Sequence, residues 1–145
     1  MSERVYDPIR CRNVVATPEE LVRQSLLRKM IHDLGYPKSL IAVEKELGMH
    51  RRRFDLVCYA CSIHPEHELS PLLIIECKAL DCSEAARQQA FGYNATLGAP
   101  FVCIACKSEI HTLWRNADQI MSVPFLPPYG ELLEIAKKRF AHATN

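Results

Sequence analysis

The start of the sequence shows no export signal, and none is expected. Its first ten residues, MSERVYDPIR, are polar and contain a proline, where a signal peptide would have a basic start and an apolar run. It also lacks any apolar run long enough to cross a membrane. Together these absences lead us to expect a cytoplasmic protein with no membrane partner. An excess of one charge sign is missing too: 18 basic and 17 acidic residues leave a formal net charge of +1. That balance speaks against a protein that coats nucleic acid and against an acidic tail, although a local basic patch would suffice for a nucleic-acid partner. There is no internal repeat and no low-complexity segment. No G-x-x-x-x-G-K-[ST] phosphate loop occurs, so ATP is not an expected ligand.

What is present fits one domain spanning residues 1–145, and a hydrophobic fraction of 48% is enough for a proper core. Seven cysteines, an odd number, in a chain without an export signal predict free thiols in a reducing compartment. Several lie in apolar runs such as FVCIAC, where cysteine acts as a small hydrophobe.

Residues 1–16 read as an irregular lead into a core over about 17–115. A helix begins at Thr17-Pro18-Glu19-Glu20: Thr17 suits the N-cap, proline the first helical position, and the acids the positive end of the dipole. Val22, Leu26, Met30 and Leu34 recur at helical spacing, and Gly35 with Pro37 stops the helix. SLIAVEKELG and RRFDLVCYAC read as two strands, SIHPEHELSP as a polar connection, and PLLIIECKAL as a buried third strand. Ser83 would cap a helix EAARQQAFGYNATL; FVCIACK and IHTLWR follow as strands, and residues 128–143 hold a last amphipathic helix. The order α-β-β-β-α-β implies an α/β fold, with a mixed central sheet flanked by helices.

Glu76-Cys77-Lys78 ends the most apolar strand. Residues two apart on a strand share a face, so Glu76 and Lys78 project together. Burying both charges there is costly unless they are paired or hold a cation. Asp55 lies in the preceding strand and would converge with Glu76 if the two strands pair as a hairpin. Two carboxylates are hard oxygen donors of the kind that magnesium takes, beside water and substrate phosphate. Such an ion lowers the pKa of a bound water and neutralises a phosphate in transition. Lys78 would place a point charge near that phosphate. Gln89 and Tyr93, four apart, share a helical face that would return over the site. Glu20, with Glu19 beside it, would complete a metal site or hold its water. The basic run Arg51-Arg52-Arg53 would meet DNA phosphates.

Each of these has a plainer reading. Asp55 would serve as a strand-edge acid paired to Arg51 or Arg53. Gln89 would be a solvated helix residue, Tyr93 a core aromatic, and Glu19 and Glu20 partners of the helix dipole. The arginine run would be solvated, and Glu44 a polar residue on the face of its strand. A zinc site from Cys58, Cys61, His64 and His67, with Cys103 and Cys106, is a separate alternative, although cysteines three apart on a strand face opposite sides.

Asp55, Glu76-x-Lys78 and Gln89-x-x-x-Tyr93 resemble the D…(D/E)-x-K…Q-x-x-x-Y arrangement of the PD-(D/E)XK nuclease superfamily. TPEELVRQ, VEKEL, RRFDLVCY, LLIIECKA and QQAFGYN are similar to the N-terminal nuclease domain of type I restriction enzyme R subunits, over roughly residues 17–106. The resemblance implies a restriction-endonuclease-like fold and metal-dependent cleavage of DNA. Asp55, Glu76 and the Cys77 carbonyl would be ligands of Mg2+ or Mn2+, with Glu20 as the first-helix acid. Lys78 would be the catalytic lysine, and Gln89 and Tyr93 the supporting pair. Nucleases of this fold often act as dimers, which leaves room for a homodimer. Phe54 stands where the superfamily has proline. The R subunit's ATP-driven motor is not carried over. A DNA-binding or assembly module with the same fold but no cleavage is the alternative.

Overall fold

A computed structural model describes residues 2–47, 51–79, 83–85, 87–88, 92 and 98–143. The core is a six-stranded sheet in the order β3-β4-β5-β6-β7-β8, with strands Ile41–Leu47, Arg52–His64, His67–Cys77, Phe101–Ala105, Ile110–Asn116 and Gln119–Val123. β5 and β6 are parallel and every other pair is antiparallel, which makes the sheet mixed, as expected. The parallel pair requires a crossover, and the backbone at Glu84, Ala85, Arg87 and Gln88 within it is helical.

Helix α1 spans Pro18–His32. Thr17 caps it, its hydroxyl accepting from the Glu20 N–H at 3.1 Å, and Pro18 opens it. The chain leaves α1 through Gly35 at φ 72°, a left-handed conformation that glycine adopts without strain, and the Tyr36 N–H returns to the Met30 carbonyl at 3.0 Å. Leu26, Leu27 and Met30 of α1 pack on Leu56, Cys58, Leu73, Ile75 and Phe101 of the sheet. Leu132 and Ala136 of the C-terminal helix, Tyr129–Ala143, join the same cluster. Phe54, Val57, Ile74 and Ala99 form a separate cluster.

Two expectations fail here, and one further strand carries no sequence signal. Residues 1–16 are not an irregular lead: β1 (Arg4–Asp7) and β2 (Arg12–Val15) form an antiparallel hairpin, fastened by the fully buried Asp7. SIHPEHELSP is not a polar connection. β4 and β5 run through it and turn at Pro65-Glu66, with register shifts after Cys58 and after Cys61. Pro71 sits beside the first shift and before β5 pairs with β6 at Leu73, a place where a missing N–H is tolerated. β8 gave no signal because it is an edge strand whose residues are almost all exposed, and its turn passes through Ala117 at φ 56° with no glycine.

Candidate active site

The last paired residues on this end of β4 and β5 are Leu56 and Ile75, and the next positions along the two strands are Asp55 and Glu76. There the side chain of Asp55 replaces a backbone partner: the Cys77 N–H donates to its Oδ2 at 2.7 Å. The Lys78 N–H continues toward β6 and donates to the Ala105 carbonyl at 2.8 Å. These two bonds fix the backbone of Glu76-Cys77-Lys78 at the end of the central strand. Glu76 and Lys78 are both partly buried.

The backbone bends at this point. Phe54 and Leu56, two apart, enter different hydrophobic clusters, so the alternation of faces breaks at Asp55. Across from it in β3, between the pairs Val43↔Leu56 and Lys45↔Phe54, lies Glu44 at φ 52°. A left-handed glutamate is strained, and strain of this kind clusters at functional sites.

α1 delivers charge to the same place. Glu20 is buried and Glu19 exposed, so Glu20 is the first-helix acid that turns inward. Both of its oxygens are engaged: Oε1 accepts from Arg10 Nη2 at 2.6 Å, while Oε2 lies 3.2 Å from Arg23 Nε and 3.3 Å from Gln24 Nε2. A role for Glu20 as metal ligand would require one of those pairs to open. Arg10 also holds Asp7 at 2.7 Å, and Gln24 donates to the other side of the network at Asp7 Oδ2, 2.9 Å. Burial acts to raise the Asp7 carboxyl, but the backbone and guanidinium of Arg10, the Ile9 N–H and the Gln24 amide outweigh it and hold the group below its ordinary range. Arg23 is almost fully buried, and its Nη2 lies 3.5 Å from Glu44 Oε1 and 3.8 Å from Asp55 Oδ1. Asp55 therefore faces Arg23, not Arg51 or Arg53. Arg23, Arg10, Asp7 and Glu44 are not among the sequence candidates; Arg23 and Glu44 lie within the family-like phrases TPEELVRQ and VEKEL, while Asp7 and Arg10 carry no signal of their own.

Arg51 is exposed with φ 49°, and Arg53 is exposed and lies 3.6 Å from Glu46. The side chain of Arg52 lies outside the described residues, as do Gln89 and Tyr93.

The zinc alternative does not assemble. Cys58 is buried and Cys61 exposed, and Cys106 is disulfide-bonded, which also corrects the expectation of free thiols throughout. Burial pushes the thiols of Cys58 and Cys103 up to about 12. Among the described residues, no three His, Cys, Asp or Glu side chains converge to hold a metal ion. The Asp55 and Glu76 carboxylates and the Cys77 carbonyl nevertheless remain a set of hard oxygen donors, and magnesium keeps several waters beside one or two carboxylates.

Comparison with known proteins bears on the same segment. The family model of the type I restriction enzyme R protein N terminus matches residues 18–127. A fragment structure described as an HsdR subunit of a type I restriction enzyme, from Vibrio vulnificus YJ016, superposes with a TM-score of 0.56 at 16% identity. The match covers 81% of this chain and 25% of that one, so the chain spans about a quarter of its length and shares its fold. No curated protein matches by sequence. No described helix is long and apolar enough to cross a membrane. The matched segment contains both strands of the site and the helix behind them, and the chain belongs to the family of type I restriction enzyme R protein N termini.

Proposed function

We propose that the chain is a metal-dependent deoxyribonuclease that hydrolyses phosphodiester bonds. The observation that carries the reading is Asp55 held at 2.7 Å on the Cys77 N–H, which ties one acid to the Glu76-Cys77-Lys78 backbone at the end of the central strand. Asp55, Glu76 and the Cys77 carbonyl would hold Mg2+ or Mn2+, which supplies an activated water and neutralises phosphate charge. The residues do the rest. The Cys77 N–H fixes the orientation of Asp55. Lys78, anchored through its own N–H on Ala105, lends positive charge to the scissile phosphate as negative charge builds there. Arg51 and Arg53 are exposed and would meet the backbone of the DNA. Gln89 and Tyr93 keep the supporting role implied by the family pattern.

One observation favours a second reading, a DNA-docking module without cleavage: Asp55 already faces the guanidinium of Arg23. Incubation of plasmid and single-stranded DNA with Mg2+ or Mn2+ separates the two. Cutting by the wild type that is lost in Lys78→Ala and Asp55→Ala, with folding intact, is the expected result, and losses of about a hundredfold or more are in keeping with removal of a group that stabilises transition-state charge. DNA binding without cutting in all three proteins would leave the docking module.

A further inference from the structure

Arg23 is an unusual neighbour for a proposed metal ligand. Its side chain is only 7% exposed, yet neither Nε nor Nη1 makes a hydrogen bond. A buried guanidinium normally satisfies its five donors, and leaving them unsatisfied is costly. What surrounds it is negative charge at ion-pair distance: Glu20 at 3.2 Å, Glu44 at 3.5 Å and Asp55 at 3.8 Å. The last two approach the same atom, Nη2, so two carboxylates from adjacent strands converge on one cationic point. The linked groups hold four acids, Asp7, Glu20, Glu44 and Asp55, against two guanidiniums, Arg10 and Arg23. Two negative charges are left over, the charge that one divalent cation brings.

Glu44 is placed there against the preference of its own backbone. Its left-handed φ of 52° would suit glycine better, and the sequence nonetheless keeps a carboxylate across from Asp55.

We propose that Glu44 is an additional metal-facing carboxylate of this site and that Arg23 is its resident counter-cation, which a divalent ion displaces from Glu44 and Asp55. The inference rests on the reading of Asp55 as a metal ligand. It also accounts for the lack of three converging donors among the described residues: the guanidinium lies between Glu44 and Asp55 and holds them on itself. Lys78 is not part of this exchange; its charge serves the phosphate. Arg23 thereby sets the affinity of the site, because the ion must compete with a tethered cation for the same oxygens.

The test is calorimetric titration of Mn2+ and of Mg2+ into the wild type, Glu44→Gln and Arg23→Gln at one ionic strength, with thermal unfolding recorded for each. Glu44→Gln is expected to bind the ion about tenfold more weakly. Arg23→Gln is expected to bind it several-fold more tightly, since the competitor is gone. Unchanged affinity in Glu44→Gln would overturn the assignment of Glu44, and weaker binding by a folded Arg23→Gln would overturn displacement. Glu44 is 42% exposed, so Glu44→Gln reports on the proposal even where Arg23→Gln does not fold. Absence of any binding by the wild type is a different result: it removes the metal reading itself, and this inference with it.

Discussion

Asp7 shows how a single residue, outside the six-stranded sheet, ties the N-terminal hairpin to the site. It is fully buried and accepts from the N–H groups of Ile9 and Arg10 at 2.7 and 2.9 Å, from Arg10 Nε at 2.7 Å and from Gln24 at 2.9 Å. A buried carboxylate in this setting is worth little compared with an apolar replacement of the whole network, but removal of one partner strands the others. Asp7→Asn should therefore cost about 3 kcal/mol in urea denaturation at neutral pH. The pH dependence follows from the direction of its shift. The folded carboxyl titrates below the ordinary value of 3.8, so its contribution is present above that value and is lost as pH falls through the lower, folded one. Stability of the wild type should drop in that acid window, and Asp7→Asn should show a shallower drop there. An identical acid profile in the two proteins would show that Asp7 does not hold its charge in the network.

Helix α1 carries two loads on one element. Leu26, Leu27 and Met30 face the core, while Glu20, Arg23 and Gln24 are buried among polar groups beside β3 and β4. Its capping and its packing are separable. Thr17→Ala removes the acceptor for the Glu20 N–H and should cost about 1 kcal/mol, while Leu27→Ala leaves a cavity under the sheet and should cost about 3 kcal/mol. Thr17→Ala loosens the turn that holds Glu20 on Arg23, which frees Arg23 to compete for Asp55 and Glu44, so it should also weaken metal binding, whereas Leu27→Ala should lower stability with little change in affinity; calorimetry on both proteins decides this. The same helix shows what can be read from sequence. Its cap, its apolar period and its Gly35 stop are local signals, and so are the continuous apolar residues of β5 and β6. Elements without a buried face leave no such signal, which is why β8 and the β1–β2 hairpin were not foreseen. The polar hairpin tip leaves no signal for a related reason: exposed residues such as His67, Glu68 and Leu69 continue the ladder without any apolar alternation. In the site, the strand positions of Asp55 and Glu76, and of Lys78 just past the end of β5, follow from pattern. That Asp55 meets Arg23 rather than Arg51 or Arg53 depends on how α1 lies across the sheet, and the bend at Glu44 involves no glycine that would announce it.

At the scale of the whole molecule, charge limits how DNA can be held. A net charge of +1 provides no broad attraction, and the network around Arg23 is itself negative. Binding should then depend on a few exposed cations and on the divalent ion. Lys78→Ala, which should bind without cutting, allows this to be measured as anisotropy of a labelled duplex in Mg2+. The affinity should fall with salt, with a slope in log units of about −0.9 for each phosphate neutralised. Arg51 and Arg53 are exposed at the start of β4, and Arg53 is shared with Glu46 at 3.6 Å, an exposed pair of little energetic weight that DNA can replace. Alanine at either position should reduce the slope by about 1 and weaken binding about equally for unrelated sequences. Chelation of the divalent ion should weaken binding further, because the network around Arg23, although its guanidinium then pairs with Glu44 and Asp55, keeps an excess of negative charge that repels the approaching phosphates. A slope that does not change in Arg51→Ala and Arg53→Ala would show the arginine run to be only solvated and would move the DNA path to another face.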